Sequence, residues 1–330
     1  MVADRQSPVR AEGLGETHAS TPAPALYGML AILLVLWSSN FLFARFALRE
    51  MPVALVVGLR YVVSALCMAP VALLGRRDPV WTRNALKWRD TPALLAVGLL
   101  GLVGNQVLFV IGLSMTSVAH ASVITALSPV LVLVGAFAIG LEPVTRGRVL
   151  GLLLAGCGVV VLQFSRGSSG PAGGGATFRG DAVMLVSVVF FAGFNLWGKP
   201  LAERYGSMKM NAVSYASAGM LALPLVASHW TAGAHSSRLA WIGVTYMGAC
   251  SSVLGYLIYG YALRHLPASR VAVVVYLQPV LASLMAIPVL GERPGIGFLP
   301  ASALVLGGVY TVEKMAGRAL DPRHSPPDLG

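Results

Sequence analysis

The chain has 330 residues, of which 56% are hydrophobic, and its mean hydropathy is +0.74. Only 11% are charged, against about 25% in soluble domains, and those charges cluster between long apolar runs. This excludes a soluble globular protein and places the chain in a bilayer. The net charge of +11 does not imply a nucleic-acid partner, because no compact basic domain is present and membrane proteins collect Lys and Arg in their cytoplasmic loops.

In chain order, residues 1–25 are rich in Pro, Ser, Ala and charge and lack the apolar core of a signal peptide, so a disordered cytoplasmic tail is expected. Ten apolar runs follow, at about 26–48, 53–74, 92–113, 118–139, 147–164, 181–200, 209–228, 239–262, 269–290 and 297–314, each near the length that crosses a bilayer as a helix. They are too continuous for alternating barrel strands, so an all-α membrane protein is expected. Only Ser114 to Ser117 separate the third run from the fourth. Residues 165–180 form a linker outside the membrane, and 316–330 a second cytoplasmic tail. With the N-terminus inside, 17 Lys and Arg fall on the inner side and 6 on the outer, with five of them in GRRDPVWTRNALKWR. Both termini are therefore expected in the cytoplasm, across the plasma (bacterial inner) membrane.

Cys67, Cys157 and Cys250 lie within apolar runs and form no Cys/His cluster. They are expected to be buried small hydrophobes, with no disulfide, metal or cofactor.

The ten runs form two sets of five. At an offset of 150, Val123, Leu127, Pro129, Val130, Leu131, Ala136 and Glu142 meet Val273, Leu277, Pro279, Val280, Leu281, Ala286 and Glu292. Near the start of each half the offset is 155, and Asn40, Ala47 and Arg49 meet Asn195, Ala202 and Arg204. Five is odd, so the second set enters the membrane from the opposite side. The expected architecture is ten transmembrane helices as two inverted five-helix repeats, residues 26–164 and 181–315, which alternating-access transporters use.

Several stretches carry a resemblance: Trp37-Ser38-Ser39-Asn40, Leu59-Arg60-Tyr61, a Pro-Val-Leu at Pro129 and at Pro279, Gly140-Leu141-Glu142, Gly291-Glu292, and YALRHLPAS from Tyr261 to Ser269. Over about residues 26–315 the chain resembles the EamA family of the drug/metabolite transporter superfamily. That resemblance implies two inverted five-helix halves around a central cavity, and transport, often export, of a small organic metabolite such as an amino acid. It also implies an Arg at position 60. A small organic solute and lipid are the expected partners, and a monomer the expected state. An enzyme is not expected: no HExxH and no paired intramembrane Asp occur. A channel or sensor is the other alternative.

The candidate solute-binding residues are polar groups near mid-helix, where each needs a partner or a wet cavity. Asn40 either lines a cavity or bonds across to a neighbouring helix. Arg60 either holds a solute carboxylate or pairs with Glu50, Glu292 or helix-end carbonyls. Asn105, Gln106, Thr125, Asn195, Tyr256 and Gln278 complete the set, with Tyr276 and Gln278 flanking Pro279. Pro129 and Pro279 are candidate hinges, since proline removes a helical bond. Arg45 and Arg49 are expected to snorkel to the outer surface. Gly98, Gly101 and Gly104 are expected to serve close packing. No Asp or Glu lies at the centre of a run, so a mid-membrane proton relay is not expected. His120, near the outer end of the fourth, is the weak exception.

Overall fold

A computed structural model describes residues 23–75, 87–140, 145–165, 168–169, 176–266 and 268–319. Residues 1–22 and 320–330 of the expected tails, residues 76–86 of the basic loop, Glu142, and residues 166–167 and 170–175 of the linker lie outside the described residues.

The rest is predominantly helical. α1 spans Ala23–Leu48, α2 Val53–Gly75, α3 Trp88–Met115, α4 Val118–Ala138 and α5 Arg146–Phe164. α6 spans Phe178–Tyr205, α7 Ser207–Gly233, α8 residues 238–265, α9 Ala268–Leu290 and α10 Phe298–Ala319. Each expected apolar run falls on one of these segments. Among the described residues, α1 to α8 are long and apolar enough to cross a membrane. α9 and α10 hold shorter apolar stretches, Leu277–Leu290 and Phe298–Val312. Helix is the form such runs must take, because lipid offers no partner to a backbone N–H or C=O.

Local chemistry sets the ends. Ser117 caps α4 by accepting the His120 N–H at 3.2 Å, which divides α3 from α4 within two residues. Thr177 caps α6 through the Gly180 N–H, and Ser237 caps α8. Ser237 is itself held by Glu50, whose carboxylate accepts its N–H at 2.5 Å and its hydroxyl at 2.6 Å. Gly140 and Gly291, after the ends of α4 and α9, take φ of 71° and 68°, a conformation that favours glycine.

Three helices depart from the regular α form. α3 is π-helical over Val97–Val103 and α8 over Tyr246–Leu254. α4 breaks at Ala126 and Leu127, between Val118–Thr125 and Ser128–Ala138. Pro129 opens the second piece and, lacking an N–H, cannot bond the Thr125 carbonyl. The equivalent Pro279 does not interrupt its helix: α9 runs on through it.

The packing follows a pattern of exchange. α5 lies along α10, and α2 along α7. α3 packs on α6 as α8 packs on α1, and α4 packs on α6 as α9 packs on α1. The α5–α10 contact is backbone to backbone: a Cβ at Gly308 would come within 2.5 Å of the Ala155 nitrogen and the Gly151 oxygen. The α3 glycines serve the same end, since a Cβ at Gly101 would meet Phe194 of α6 at 2.6 Å. Outward faces are apolar, with Leu153 of α5, Met220 of α7 and Leu284 of α9 all exposed, as lipid contact requires. Cys157 corrects an expectation: it is exposed on α5 rather than buried, because both faces of a lipid-bounded helix are apolar and composition does not tell them apart. A two-residue antiparallel ribbon pairs Ser168–Ser169 with Glu292–Arg293 and ties the α5–α6 link to the α9–α10 link.

Gly308→Ala is expected to destabilise the protein by about 1–3 kcal/mol, the usual cost of overpacking. Denaturation of the purified variant in mild detergent measures this; an unchanged midpoint would mean that α5 and α10 separate easily.

Candidate functional site

The bundle encloses a cavity of about 640 Å³. Its polar wall includes Asn40 from α1, Arg60 from α2, Asn105 and Gln106 from α3, Thr125 from α4, Asn195 from α6, Ser251 from α8 and Gln278 from α9. Tyr256 of α8 and Pro129 of α4 also line it, so the structure brings the expected polar set and one proline to a single space. Pro279 is not among the lining residues, and the Tyr276 side chain lies outside the described residues. Ser122, which shares a helix face with Thr125, turns its hydroxyl to the Ala119 carbonyl and does not line the cavity.

Arg60 is 5% exposed. Its Nε donates to Ser252 Oγ at 3.1 Å, and its guanidinium lies 6.0 Å from the Phe109 ring centroid. Its Nη1 has no hydrogen-bond partner. Glu50 and Glu292, weighed above as its counter-charges, are engaged elsewhere: Glu50 on Ser237, and Glu292 on the N–H groups of Val118 and Ala119 at 2.7 and 3.1 Å. No Asp or Glu lies among the described lining residues.

A chain of hydrogen bonds holds this region rigid. Gln106 Nε2 donates to Tyr215 OH at 3.2 Å, and Tyr215 OH donates to the Ser252 carbonyl at 3.4 Å. Gln106 Oε1 and Asn40 Oδ1 are left without a partner. Asn105 Nδ2 donates to the Ser187 carbonyl at 2.8 Å, and Asn195 Nδ2 to the Phe191 carbonyl at 2.7 Å, one turn back on its own helix. Gln278 Nε2 donates to the Trp37 carbonyl at 3.4 Å. One cationic donor and two amide acceptors are therefore unsatisfied at the wall of one buried space. Such groups cost free energy unless a bound solute or water completes them.

The apolar part of the wall is aromatic. Trp37 packs against Tyr256 and Tyr259 at 5.9 and 5.3 Å, and Phe41 against Phe109 at 5.2 Å. Phe191 also lines the cavity, whereas Trp197, six residues on, is largely exposed. Phe41, Phe109 and Lys199 were not candidates from sequence. An aromatic in such a chain looks the same whether it faces lipid or cavity, and Lys199 reads as a cytoplasmic-loop cation.

The lining extends to Ala136 of α4, Lys199 of α6 and Val271 of α9, all toward one end of the bundle. The opposite ends of these helices meet in a packed polar cluster. Asp181, at the start of α6, accepts from Thr116 Oγ1 and from Gln163 Nε2 at 3.0 Å, and lies 2.9 Å from His120 Nδ1. Arg45 donates through Nη2 to the Thr116 carbonyl. Its burial, at 5% exposure, corrects the expected snorkelling. The junction of α3 and α4 lies over the end of α1 and offers its carbonyl before the side chain reaches water. Arg49, one turn on, is exposed and sits 5.5 Å from the Phe46 ring centroid. Among the described residues, no group of three or more His, Cys, Asp and Glu is placed to hold a metal ion.

Comparison with known proteins gives a concordant picture. The sequence model of the EamA-like transporter family matches residues 26–164 and 178–313. An uncharacterized transporter of Archaeoglobus fulgidus is 27% identical over 86% of this chain and 97% of its own length. A probable terminal-alkyne amino-acid exporter of Streptantibioticus cattleyicolor is 29% identical over 86% of this chain and 92% of its own. An uncharacterized protein of Pseudomonas aeruginosa is 30% identical over 86% and 93%. One crystal structure superposes with a TM-score of 0.58 at 20% identity, over 91% of this chain and 100% of the other, a likeness of fold alone.

Tyr215→Phe removes the link between Gln106 and Ser252 and leaves a buried amide without its acceptor. A loss of about 1–3 kcal/mol is expected, read by chemical denaturation of the purified variant; no loss would mean that Gln106 finds another partner.

Proposed function

This chain belongs to the EamA-like transporter family, and from that premise we propose that it is an alternating-access secondary transporter that exports a small organic metabolite bearing a carboxylate, such as an amino acid or a related compound. The observation that carries this reading is the buried Arg60 guanidinium, with Nη1 unpartnered in a cavity that has no acidic residue among its described lining. A solute carboxylate supplies the missing counter-charge. Asn40 Oδ1 and Gln106 Oε1 accept from a donor group such as an ammonium, and the aromatic wall receives an apolar side chain. The similarity to a probable amino-acid exporter supports the solute class.

The architecture proposed for this work is ten membrane crossings in two inverted five-helix halves, with both termini in the cytoplasm. Several features support it. The family match falls in two blocks. The helix contacts exchange in pairs. The π segments of α3 and α8 occupy equivalent places, as do Gly140 and Gly291. In this frame the cavity reaches the cytoplasmic end, and the cluster around Asp181 closes the outer end. The break at Ala126–Leu127 beside Pro129 gives α4 a hinge, and Pro279 gives α9 a weaker one. Solute is then bound at mid-membrane and released outward as one half rocks against the other.

Counterflow in proteoliposomes with a panel of radiolabelled amino acids tests the reading. Saturable exchange is expected for at least one of them. Arg60→Gln should weaken that solute's apparent affinity about 10- to 150-fold, the worth of a charged hydrogen bond, with partial recovery in Arg60→Lys. Asn40→Ala should impair exchange while the protein stays monodisperse. Flux that fails to saturate would point instead to a channel, and unchanged kinetics in both Arg60→Gln and Asn40→Ala would remove the binding site described.

A further inference from the structure

The buried polar cluster at the closed end of the bundle is not used in binding solute. Four ionisable groups meet there: His120 of α4, Asp181 of α6, Glu292 after α9 and Arg45 of α1, all 5% exposed or less. The carboxylate of Asp181 lies 2.9 Å from His120 Nδ1 and takes two further hydrogen bonds, from Thr116 and Gln163. Glu292 accepts the first two N–H groups of α4, at 2.7 and 3.1 Å. Arg45 bonds the Thr116 carbonyl and feels the Glu292 charge. Among the described residues, the other arginines at this end are outside the packed cluster: Arg49 of α1, which adds like charge to Arg45, Arg179 of α6, Arg238 of α8 and Arg293 are exposed.

The charges of the packed groups decide what closure requires. With a neutral imidazole the buried sum is one positive charge against two negative. With an imidazolium it is zero. A buried net charge is costly, and a close, hydrogen-bonded counter-ion removes most of that cost. Histidine is also the side chain whose charge ordinarily changes between about pH 5 and 8.

We propose that His120 and Asp181 form a proton-binding site that latches the outer end of the solute pathway, so that closing this end takes up one proton from the outside. The inference rests on the transport reading above, in which this end opens and closes. The proton goes to the free imidazole when the end is open to water. It is held as the imidazolium–carboxylate pair when α4, α6 and the end of α9 come together. Closure with proton uptake is favoured by acid outside, and opening by alkali. Because the groups of the closed cluster are buried and none of them lines the cavity, the proton returns to the outside on opening. The site therefore sets the rate and balance of the cycle by external pH and does not drive the cycle.

Thiol labelling tests this on intact cells that express the full chain with Cys67, Cys157 and Cys250 replaced by Ser. Ala119→Cys places a thiol beneath the cluster at a position 2% exposed, and a membrane-impermeant maleimide is applied from outside. Its rate is divided by that of an exposed control, Ala234→Cys, which removes the thiol's own pH dependence. The normalised rate is expected to rise at least threefold between pH 5.5 and 8. In His120→Gln it should be flat and high, and in Asp181→Asn flat and low, because the remaining charges then balance without a proton. Should His120→Gln not yield monodisperse protein, the Asp181→Asn profile decides alone. A pH-dependent rate that survives these substitutions, or a wild-type rate that does not vary with pH, overturns the latch and leaves transport untouched. No labelling at any pH, together with absent counterflow, overturns the transport reading instead.

Discussion

A buried guanidinium with no counter-charge among the described residues around it is the constraint on which the rest of this structure turns. A bilayer offers Arg60 neither water nor an anion, and the two carboxylates that the sequence suggests as partners, Glu50 and Glu292, are occupied at helix caps. Ser252 supplies one hydroxyl and Phe109 the face of its ring, and Nη1 is left without a partner. Holding a charge in that condition requires a stiff surround. Tyr215, fully buried between Gln106 and the Ser252 carbonyl, provides it. The polar wall is thus built backwards from the usual order, with its support satisfied and its inner face not.

The helices that carry this wall are joined most closely away from it. α5 and α10 meet through glycines, and α2 and α7 run side by side, so two tight pairs flank the more open group of α1, α3, α4, α6, α8 and α9, and α2 contributes Arg60 to the cavity between them. Irregular backbone is confined to that second group: the two π segments and the break in α4. Departures from α-helix within lipid are tolerated where neighbours or a cavity re-satisfy the freed groups; here the α8 segment supplies Ser251 to the cavity, the α4 break lies between the lining residues Thr125 and Ser128, and the α3 segment ends two residues before Asn105. Rigid pairs and yielding cavity helices are the division of labour expected of a molecule that must change shape without coming apart.

The helices could be read from the sequence because lipid permits little else. A long apolar run in a chain with few charges has one backbone solution, and even the short α3–α4 divide is marked by Ser117. The polar candidates could be read for a related reason: an Asn, Gln or Arg in mid-run is too costly to be incidental. What could not be read is which way an apolar residue faces. Cys157 in lipid and Phe41 in the cavity wall occupy similar local sequence. Arg45 was misjudged since its distance from the helix end suggested water, whereas the α3–α4 junction covers it. His120 and Asp181 lie 61 positions apart, and each alone looks like an interface residue. The π segments have no compositional mark, and Pro279 carries none to say that its helix stays continuous while Pro129 follows a break.

The π segments also bear on how these helices can change in length. A π turn holds one residue more than the α turn it replaces, so deleting a single residue within 97–103 or 246–254 could be absorbed by a return to regular α-helix. The same deletion elsewhere in α3 or α8 would turn every following side chain by about 100°. Gln106 and Tyr256 each follow closely on such a segment. Register at the polar wall is therefore buffered on one side of each residue, and those two stretches are where a natural or engineered change of chain length would do least harm.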